Sequence, residues 1–571
     1  MYLRTTQRRN RDGTVVRYVQ LAHNRRVDGV TQAQVLLNLG REDHLDRDGL
    51  ARLVTSINRY LGLPGSSPPA DATELAGDGL TVAASRPVGA VHLLDGLWRA
   101  LEIDTALRKV LGQRRFTTNM ERVLFALVAN RAIDPMSKLS AAEWASHDVA
   151  IDGLESMDED QAYRAMDLLV EADAQAEVQE AVFFAVANLL NLEVDLLFFD
   201  TTSTYFERDT EDDPGEHGQQ GFRRYGHSKD HRDDLPQIVI GLAVTKEGVP
   251  VRVWCWPGNS NDQAILPEVR DDMRGWRLGR VITVVDRGFS SAENLAYLRR
   301  AGGHFIAGMR MRDHNPLVER VLARQGRYQQ VKENLRVKEV RLEDTDVRFV
   351  ICHNPEQAER DRIQREDALA RLEAELERIK RARERDRKKT ATKNVQAKAQ
   401  AAHLKAECAL RDHPTLGRWL RQSATGRLSI NRAKVKAEER LDGKYLIATS
   451  DPHISAEDTA LGYKNLLEAE RGFRDMKSSL LLRPVFHRLE HRIRAHVLLC
   501  WLALLLVRVA ERRAGLTWRR INTELGRVHA VTLTGSAGSA VHTTPLTTVQ
   551  ASILRDCQVS APATVTTLDP A

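Results

Sequence analysis

The segment Val194-Asp-Leu-Leu-Phe-Phe-Asp-Thr-Thr-Ser-Thr204 marks the sharpest change along the chain, because helical spacing of apolar residues stops there and strand-like runs begin. Its apolar part, Leu196 to Phe199, has the composition of a fully buried strand. Asp200 closes this strand, and a carboxylate in that place is costly unless a partner balances its charge. The segment therefore predicts a strand of a sheet and a candidate functional carboxylate at its end.

The residues after this segment alternate between strand-like and helix-like patterns. Two apolar runs separated by Lys-Glu-Gly predict a hairpin, 235–245 and 249–256. The next four runs predict a helix, a strand, a helix and a strand: 262–275, 280–285, 291–300 and 304–309. Asp286 closes the first of these strands in the way that Asp200 closes its own. Two neighbouring strands of this kind would hold the carboxylates side by side, although either aspartate alone could simply cap the following turn.

A third carboxylate is expected from a helix that packs against this sheet. On the helix predicted from about residue 462 onward, residues spaced by 4, 3, 4 and 3 positions share one face: Tyr463, Leu467, Glu470, Arg474 and Lys477. Such a face suits a carboxylate that holds metal beside cations that contact DNA phosphates, and an exposed, salt-bridged helix face is the alternative. Glu468 is the rival acid, and Lys477, seven residues beyond Glu470, favours Glu470.

Carboxylates from separate parts of a fold are what phosphodiester cleavage with two divalent ions requires. Two ions about 4 Å apart must share ligands and still leave positions for water and phosphate. Asp200, Asp286 and Glu470 come from three separate predicted elements. They are therefore the candidate catalytic residues and the candidate metal ligands.

With these motifs the chain resembles the DDE transposases of bacterial insertion sequences, in the branch whose last helix carries Tyr-x2-Arg-x3-Glu-x6-Lys. Tyr463, Glu470 and Lys477 match that signature, whereas Leu466 occupies the arginine position. Arg471 or Arg474 could replace the phosphate contact of that arginine. Further similar segments are Phe199-Asp200-Thr201-Thr202, Gly226 to Gln237, Gly258-Asn259, Asp286-Arg-Gly288-Phe289, Arg483-Pro484 and Arg494-Ala-His496. The resemblance covers residues 190 to 510 approximately.

The resemblance implies an α/β fold with a ribonuclease-H-like catalytic core, in which helices flank a mixed sheet. Asp200 would lie on the first strand, Asp286 after the fourth and Glu470 on a late helix. The implied cofactor is magnesium, or manganese in its place, as two ions. The implied reaction cleaves double-stranded DNA at the element's terminal repeats and joins the 3′-hydroxyl ends to target DNA, with a homodimer in the synaptic complex. A nuclease without strand transfer and an inactive DNA-binding relative are the alternatives.

Changes in composition, combined with the resemblance, predict seven segments. They are a small α+β unit at 1–62 that could bind DNA, a Gly/Ser/Pro/Ala-rich linker at 63–87, a helical domain at 88–192, the first part of the core at 193–311, an insertion of strands and a basic helical hairpin at 312–442, the second part of the core at 443–527, and a loosely packed tail at 528–571. The insertion explains the 470 − 286 = 184 residues between Asp286 and Glu470.

Several basic residues are candidates for DNA binding. The run Arg378 to Lys398 carries ten Lys or Arg against two acids, which favours phosphate binding as much as a solvated helix face. Lys229 and Arg232 follow the Asp200 strand in a polar loop. The full set of candidates is Tyr463, Arg471, Arg474, Lys477, Lys229, Arg232, Arg483, Arg385, Lys388 and Lys389.

Composition excludes several other classes of protein. Lys and Arg exceed Asp and Glu by 84 − 78 = 6, which permits a nucleic-acid partner without requiring one. The five cysteines form no C-x-x-C pair, and His217, His227 and His231 fall in a polar loop without metal-ligand spacing. The longest apolar run, Val497 to Val507, predicts a buried core helix rather than a membrane span. Without a signal peptide or a phosphate-binding loop, we expect a cytoplasmic protein that uses neither a membrane nor ATP.

Overall fold

The protein is described by a computed structural model over residues 2–9, 15–27, 30–41, 80–111, 119–174, 177–190, 195–213, 221–276, 281–313, 315–388, 393–424 and 427–570. Two compact units divide the chain. The smaller comprises Met1–Ala83, Leu533–Ser539 and Asp569–Ala571, and the larger comprises Ala84–Thr532 and Ala540–Leu568.

The smaller unit contains an antiparallel sheet of order β1-β2-β3, formed by Tyr2–Arg9, Val15–Val27 and Val30–Arg41. Val19 and Ala22 of β2 are buried, and these strands supply the β part of the α+β unit predicted at 1–62. Residues 42–62 of the predicted α+β unit lie outside the described residues, as does most of the linker predicted at 63–87. The end of that linker forms strand β4, Thr81–Pro87.

A block of helices follows β4, as the helical spacing of its apolar residues predicts. The α-helices α1 to α6 are Gly89–Ala100, Ile103–Leu111, Met120–Ile133, Lys138–Glu143, Glu159–Ala174 and Glu177–Leu190. A π-helical turn, Trp144–Asp148, extends α4. The side chain of Ser137 caps α4 by accepting a hydrogen bond from the amide of Ser140.

The alternating region after residue 195 folds in the predicted order. Its elements are β5 (Leu196–Tyr205), β6 (Gln237–Thr245), β7 (Pro250–Pro257), α7 (Asp262–Gly275), β8 (Ile282–Val285), α8 (Ala292–Leu298) and β9 (His304–Met309). Short 3-10 turns occur at Arg287–Phe289 and Arg300–Gly302. Gly248, at a φ of +76°, forms the turn between β6 and β7, a conformation that favours glycine.

The predicted insertion contains strands and a long helical hairpin. Its elements are α9 (Pro316–Ala323), β10 (Gln329–Lys332), β11 (Leu335–Arg341), β12 (Arg348–His353), α10 (Pro355–Lys388), α11 (Lys393–Arg411), a 3-10 turn (Gly417–Trp419), β13 (Leu420–Gln422), β14 (Leu428–Ile430) and α12 (Arg432–Glu439). Leu372 and Ile379 of α10 pack with Leu410 and Trp419 in a separate small core. This core gives the hairpin its own apolar contacts.

The chain then returns to the sheet and ends in helices and strands. These elements are β15 (Lys444–Thr449), α13 (Ala456–Lys464), α14 (Leu467–Ser478), α15 (Glu490–Ala514), α16 (Trp518–Leu525), β16 (His529–Gly535), β17 (Gly538–Thr543), α17 (Thr548–Asp556) and β18 (Val565–Pro570). The segment after residue 528 was expected to be a loosely packed tail, but it is structured. Thr547 and Gln550 form a capping box on α17, and β16 to β18 join β4 in a four-stranded sheet.

Within the described residues, nine strands form one mixed sheet of order β10-β11-β12-β15-β9-β8-β5-β6-β7. Strands β5, β8 and β9 are parallel, and the other pairings are antiparallel. Side chains alternate between two cores along β5, since Phe198 belongs to one and Phe199 to the other. The expected α/β class, with helices flanking a large mixed sheet, is therefore confirmed. Strands β10 to β12 of the insertion extend this sheet beyond β15, whereas β13 and β14 form a separate two-stranded sheet.

Helix α15 lies in the larger core and packs against α3, α5 and β7. In the part of the chain that the structure describes, α15 is the one helix with the length and hydropathy of a membrane span, yet 89% of its apolar window is buried inside the protein. All residues from Val497 to Val507 are buried, as predicted for a core helix.

Candidate active site

Asp200 and Asp286 lie side by side on neighbouring strands. Strands β5 and β8 are parallel, and Phe199 stands opposite Val285, so the two aspartates are the next residues in register at the same end of the pair. Burial raises the pKa of Asp200 to about 7; Lys229 and the amide of Thr201 oppose this rise, and the charges of Asp286 and Asp262 add to it. A desolvated carboxylate beside other acids is an arrangement that a cation would stabilise.

Asp262, the first residue of α7, is a further acid at this site that the sequence did not reveal. Its Oδ1 accepts a hydrogen bond from Oγ1 of Thr201 over 2.6 Å, and its Oδ2 lies 3.1 Å from Nζ of Lys229. The Lys229 ammonium also donates to the backbone oxygen of Thr201 over 2.9 Å. The only local signal was a polar stretch after β7 that continues from Gly258-Asn259. Lys229 is thus an internal counter-charge for the aspartates.

Glu470 lies on α14 and lines a cavity of about 680 Å³ together with Asp286 and Tyr463. The helix that was predicted to carry Tyr463 and Glu470 on one continuous face is interrupted. Tyr463 is near the end of α13, Asn465 caps that helix, and α14 begins at Leu467. The prediction of one continuous helix was therefore wrong. The junction residues Asn465 and Leu466 keep right-handed helical backbone angles, so no helix-breaking residue in the sequence marks the interruption.

Glu468 does not compete with Glu470 for this cavity. Its carboxylate pairs with Arg471, with 2.6 Å between Nη1 and Oε1. It also lies against Gly248, where a Cβ added to the glycine would meet Oε2 at 2.7 Å. Glu468 therefore faces the turn between β6 and β7, and Glu470 faces the cavity of Asp286.

The three predicted carboxylates are brought to one region but not into a finished metal cluster. Among the described residues, no three His, Cys, Asp or Glu side chains form a group that could hold a metal ion as they stand. Glu470 is exposed, whereas Asp200 is partly buried beside Asp286. Carboxylate oxygens are the donors that magnesium and manganese prefer, so this donor set fits such ions.

Tyr463 connects the helices to the aspartates. Its hydroxyl donates a hydrogen bond to Oδ1 of Asp286 over 2.9 Å, and its ring stacks on Tyr445 with 6.1 Å between centroids. Burial and the charge of Asp286 raise the pKa of Tyr463, so its hydroxyl stays protonated. Gly308 of β9 approaches the Tyr463 hydroxyl so closely that a Cβ at this position would overlap it.

Most of the predicted DNA-binding cations already have acidic partners. Lys477 contacts Asp230 at 2.9 Å and the Thr202 hydroxyl at 2.7 Å, and Arg483 contacts the same aspartate at 2.8 Å. Arg232 pairs with Asp234 and lies over the ring of Tyr205. Lys229 pairs with Asp262, and Arg471 with Glu468, as above. These pairs fix cations near the aspartates but leave fewer of them free for phosphate.

Two of the predicted cations, Arg474 and Arg385, are exposed, and the described residues offer neither an ion-pair partner. The side chain of Lys388 and the whole of Lys389 lie outside the described residues. Cations that the sequence analysis missed line the cavity of Asp286: Arg287, Arg310, Arg312 and Lys444. Arg287 is exposed, whereas Arg312 pairs with Glu438 over 2.9 Å. The cavity therefore combines three acids, Asp286, Asp313 and Glu470, with a basic wall.

Two family models match the chain. Residues 196–506 match the family described as "Transposase DDE domain", and residues 3–68 match "IS1634 family transposase, N-terminal domain". No curated protein matches the chain. A solved piggyBac transposase, in a synaptic complex with hairpin DNA, is similar over 79% of this chain and 82% of its own, with 10% identity and a TM-score of 0.33. The first match includes Asp200, Asp286 and Glu470 and spans more than half of the sequence, so the chain belongs to the DDE transposases of insertion sequences and is an enzyme that acts on DNA.

Proposed function

We propose that this transposase cleaves DNA at the ends of its insertion sequence and joins the freed 3′-hydroxyls to target DNA, with Asp200, Asp286 and Glu470 as ligands of two divalent ions. One observation carries the proposal. Asp200 and Asp286 are adjacent in register on parallel strands, and Glu470 lines the same cavity as Asp286. We further propose a cytoplasmic enzyme whose partners are the terminal repeats and a target duplex, bound by a homodimer without ATP.

The order β7-β6-β5-β8-β9 supports a ribonuclease-H-like core within the larger sheet. Asp200 is on its first strand in the chain and Asp286 follows its fourth, while the acidic helix α14 comes late. These are the positions that the family resemblance implies. The strands β10 to β12 and the hairpin of α10 and α11 would then be an insertion between β9 and β15.

Magnesium or manganese ions, when bound, supply positive charge that activates the attacking oxygen and stabilises the leaving oxygen of the phosphodiester. The protein's own groups prepare the ligands. Tyr463 orients the Asp286 carboxylate by its hydrogen bond, and Lys229 balances the negative charge of the two aspartates and Asp262. Arg287 and Arg310 in the cavity wall are placed to bind the phosphates that flank the cleaved bond.

The test uses the purified chain with duplex DNA that carries the ends flanking its coding region. Asp286→Asn should lower the rate of magnesium-dependent nicking by about a thousandfold or more. Asp346→Asn, at a carboxylate that is 91% exposed and far along the chain from the site, is the matched control and should keep the parent rate. Nicking that survives Asp286→Asn would refute the assignment.

A second assay separates strand transfer from hydrolysis alone. Pre-cleaved ends with 3′-hydroxyls are supplied with a target plasmid, and covalently joined product is measured. Joined product that depends on Glu470 supports the proposed reaction. Nicking without any joined product would instead support a nuclease of the same fold.

A further inference from the structure

A cluster of buried basic side chains lies away from the carboxylate site, between the helical block and the segment that follows α14. Arg131 of α3, Lys138 at the start of α4 and His496 of α15 are 3%, 4% and 5% exposed. His487, in the segment between α14 and α15, is half-buried beside them, with 5.4 Å between its ring centroid and that of His496. Four basic groups therefore share one largely buried region.

The contacts of this cluster satisfy only part of its hydrogen-bonding capacity. Nη1 of Arg131 donates to the backbone oxygen of Leu481 over 3.3 Å, and Nε2 of His496 lies 3.0 Å from that of Leu482. Nε of Arg131 and Nδ1 of His496 are buried and have no partner. Buried polar groups without partners are uncommon because each costs desolvation free energy.

The charge of the cluster is also unbalanced. Each of the other buried arginines in the described residues has a carboxylate partner: Arg122 with Asp95 and Glu121, Arg223 with Asp212, Arg252 with Asp272, Arg348 with Glu339, and Arg365 with Asp442. Across the same residues, neither Arg131 nor Lys138 forms an ion pair. Asp167, the acid whose charge acts on His487, is engaged by Arg492 at 3.1 Å and His491 at 3.2 Å.

The pKa values of these groups respond to the missing negative charge. Burial, followed by the charge of Arg131, lowers the pKa of Lys138 to about 7. Burial and the neighbouring Lys138 lower the pKa of His487 to about 4. The guanidinium of Arg131 cannot release its proton in the same way. A buried cation that must keep its charge needs a counter-ion.

We propose that Arg131, Lys138, His487 and His496 form a binding site for a phosphate group, either a phosphate of bound DNA or free inorganic phosphate. A phosphate oxygen can accept the hydrogen bonds that Nε of Arg131 and the ammonium of Lys138 leave unused, and its charge balances both. His487 and the adjacent exposed Phe486 and Arg488 give the side from which the anion enters.

The site is connected to α14, the helix that carries Glu470, through the segment between α14 and α15. We call this segment, residues 479–489, the covering segment. Arg131 and His496 hold the carbonyls of Leu481 and Leu482, and the next residue, Arg483, pairs with Asp230. Asp230 in turn binds Lys477 of α14. An anion that orders this segment would therefore also stabilise the position of α14. Only the choice of DNA as the source of the phosphate rests on the proposed function.

The first experiment measures the melting temperature of the full chain in sodium phosphate and in sodium chloride at equal ionic strength. The wild-type protein should show a saturable increase of about 2 °C or more in phosphate. Lys138→Met should melt higher than wild type in chloride, since an uncompensated buried ammonium is gone, and should lose the phosphate-dependent increase. Lys109→Met, at an exposed lysine of α2, is the matched control and should keep it.

A second variant tests whether Lys138→Met changes the phosphate-dependent increase in melting temperature only indirectly. His487→Phe retains a ring beside Tyr163 and should reduce the phosphate-dependent increase without abolishing folding. If wild type shows no phosphate-specific increase, or if Lys138→Met shows the same increase as wild type, the cluster serves only to hold the covering segment and the proposal is wrong.

Binding of a labelled DNA duplex distinguishes the two sources of phosphate. It is measured by fluorescence anisotropy without magnesium, so that no cleavage occurs. Weaker duplex binding by Lys138→Met, with competition by inorganic phosphate in wild type only, identifies DNA as the source. Unchanged duplex binding, together with the lost thermal shift, identifies free phosphate. Because neither measurement requires catalysis, failure here is separate from failure of the transposase mechanism.

Discussion

Tyr463 and Asp286, which are 177 residues apart in the sequence, are joined by a hydrogen bond of 2.9 Å from the phenol hydroxyl to Oδ1. The tyrosine lies near the end of α13 and the aspartate follows β8, so this bond fixes the carboxylate from the helical side of the site. Asp286 itself lines the cavity that Glu470 also lines. Tyr463 is therefore a positioning residue for a candidate metal ligand.

Tyr463→Phe should lower the rate of strand cleavage by about tenfold or more, because a hydrogen bond to a charged group contributes about 1.5–3 kcal/mol. Single-turnover cleavage at saturating DNA measures the effect. Tyr445→Phe is the matched control, since that ring belongs to the same stack but its hydroxyl lies beside Cys352 rather than bonding to Asp286. Equal rates for the two variants would show that the bond does not orient the carboxylate. Raising the magnesium concentration should partly restore Tyr463→Phe if the bond preorganises metal binding.

Gly308→Ala should also slow cleavage, because its Cβ would overlap the Tyr463 hydroxyl and displace it from Asp286. The penalty should be smaller when Gly308→Ala is made in the Tyr463→Phe background, where no hydroxyl remains to be displaced. A double-mutant cycle of cleavage rates measures this coupling. Gly288→Ala is the control, since its Cβ would make only an ordinary contact of 3.6 Å with Asp262. Strictly additive effects would contradict the proposed displacement.

The sequence predicted the strands and their aspartates well because the information is local. A fully apolar run that ends in an acid specifies a buried strand and a costly charge at Asp200 and Asp286 without knowledge of the fold. Strands β5 and β8 pair in parallel, and the chain between them, which contains the β6-β7 hairpin and α7, is long enough for such a crossover. The helical hairpin predicted in the insertion also forms, and Leu372 and Ile379 of α10 lie in its small core.

The features that the sequence did not predict depend on contacts between distant segments. Asp262 is a site residue only because the start of α7 lies against Thr201 of β5. Lys477 was expected to contact phosphate, yet it pairs with Asp230, 247 residues earlier. Strands β10 to β12 extend the sheet because β15 pairs between β9 and β12, and no local pattern specifies that order. The residue before α14, Leu466, keeps helical backbone angles, so the spacing of residues along the sequence could not reveal the break between α13 and α14.

Glu470→Gln should abolish magnesium-dependent cleavage, with a loss of about a thousandfold or more, whereas Glu468→Gln should change the rate by less than about threefold. The two acids lie on one helix, but only Glu470 lines the cavity of Asp286, and Glu468 pairs with Arg471 on the surface. Cleavage of the same duplex by both variants decides the assignment. Loss of activity in Glu468→Gln with retention in Glu470→Gln would reverse it.

Lys138 should make the stability of the protein increase with pH above neutrality. Its pKa falls from 10.5 to about 7 on folding, so between these values the unfolded chain binds more protons, and the free energy of unfolding rises with pH. Burial causes most of this shift, the charge of Arg131 adds to it and Cys500 opposes it, while His487 and His496 also face Lys138, which lowers their pKa values. Lys138→Met should therefore be more stable than wild type at pH 7, and this advantage should shrink toward pH 9.

Urea unfolding of both proteins at pH 7, 8 and 9 in chloride measures that difference directly, and other titrating groups cancel in the comparison. Lys109→Met, whose lysine is exposed, should differ from wild type by a constant amount across the same range. A constant difference for Lys138→Met as well would show that Lys138 keeps an ordinary pKa.

Arg385→Ala should weaken DNA binding mainly at low salt. Arg385 is an exposed cation of α10 with no ion-pair partner among the described residues, whereas Arg381, one turn earlier, is held by Glu377 over 3.1 Å. If Arg385 neutralises one phosphate, its removal should reduce the slope of log K against log salt by about 0.9. Arg381→Ala should change the slope less, because that charge is already balanced. Anisotropy titrations between low and moderate salt measure both slopes, and equal slopes for wild type and Arg385→Ala would place the hairpin outside the DNA interface.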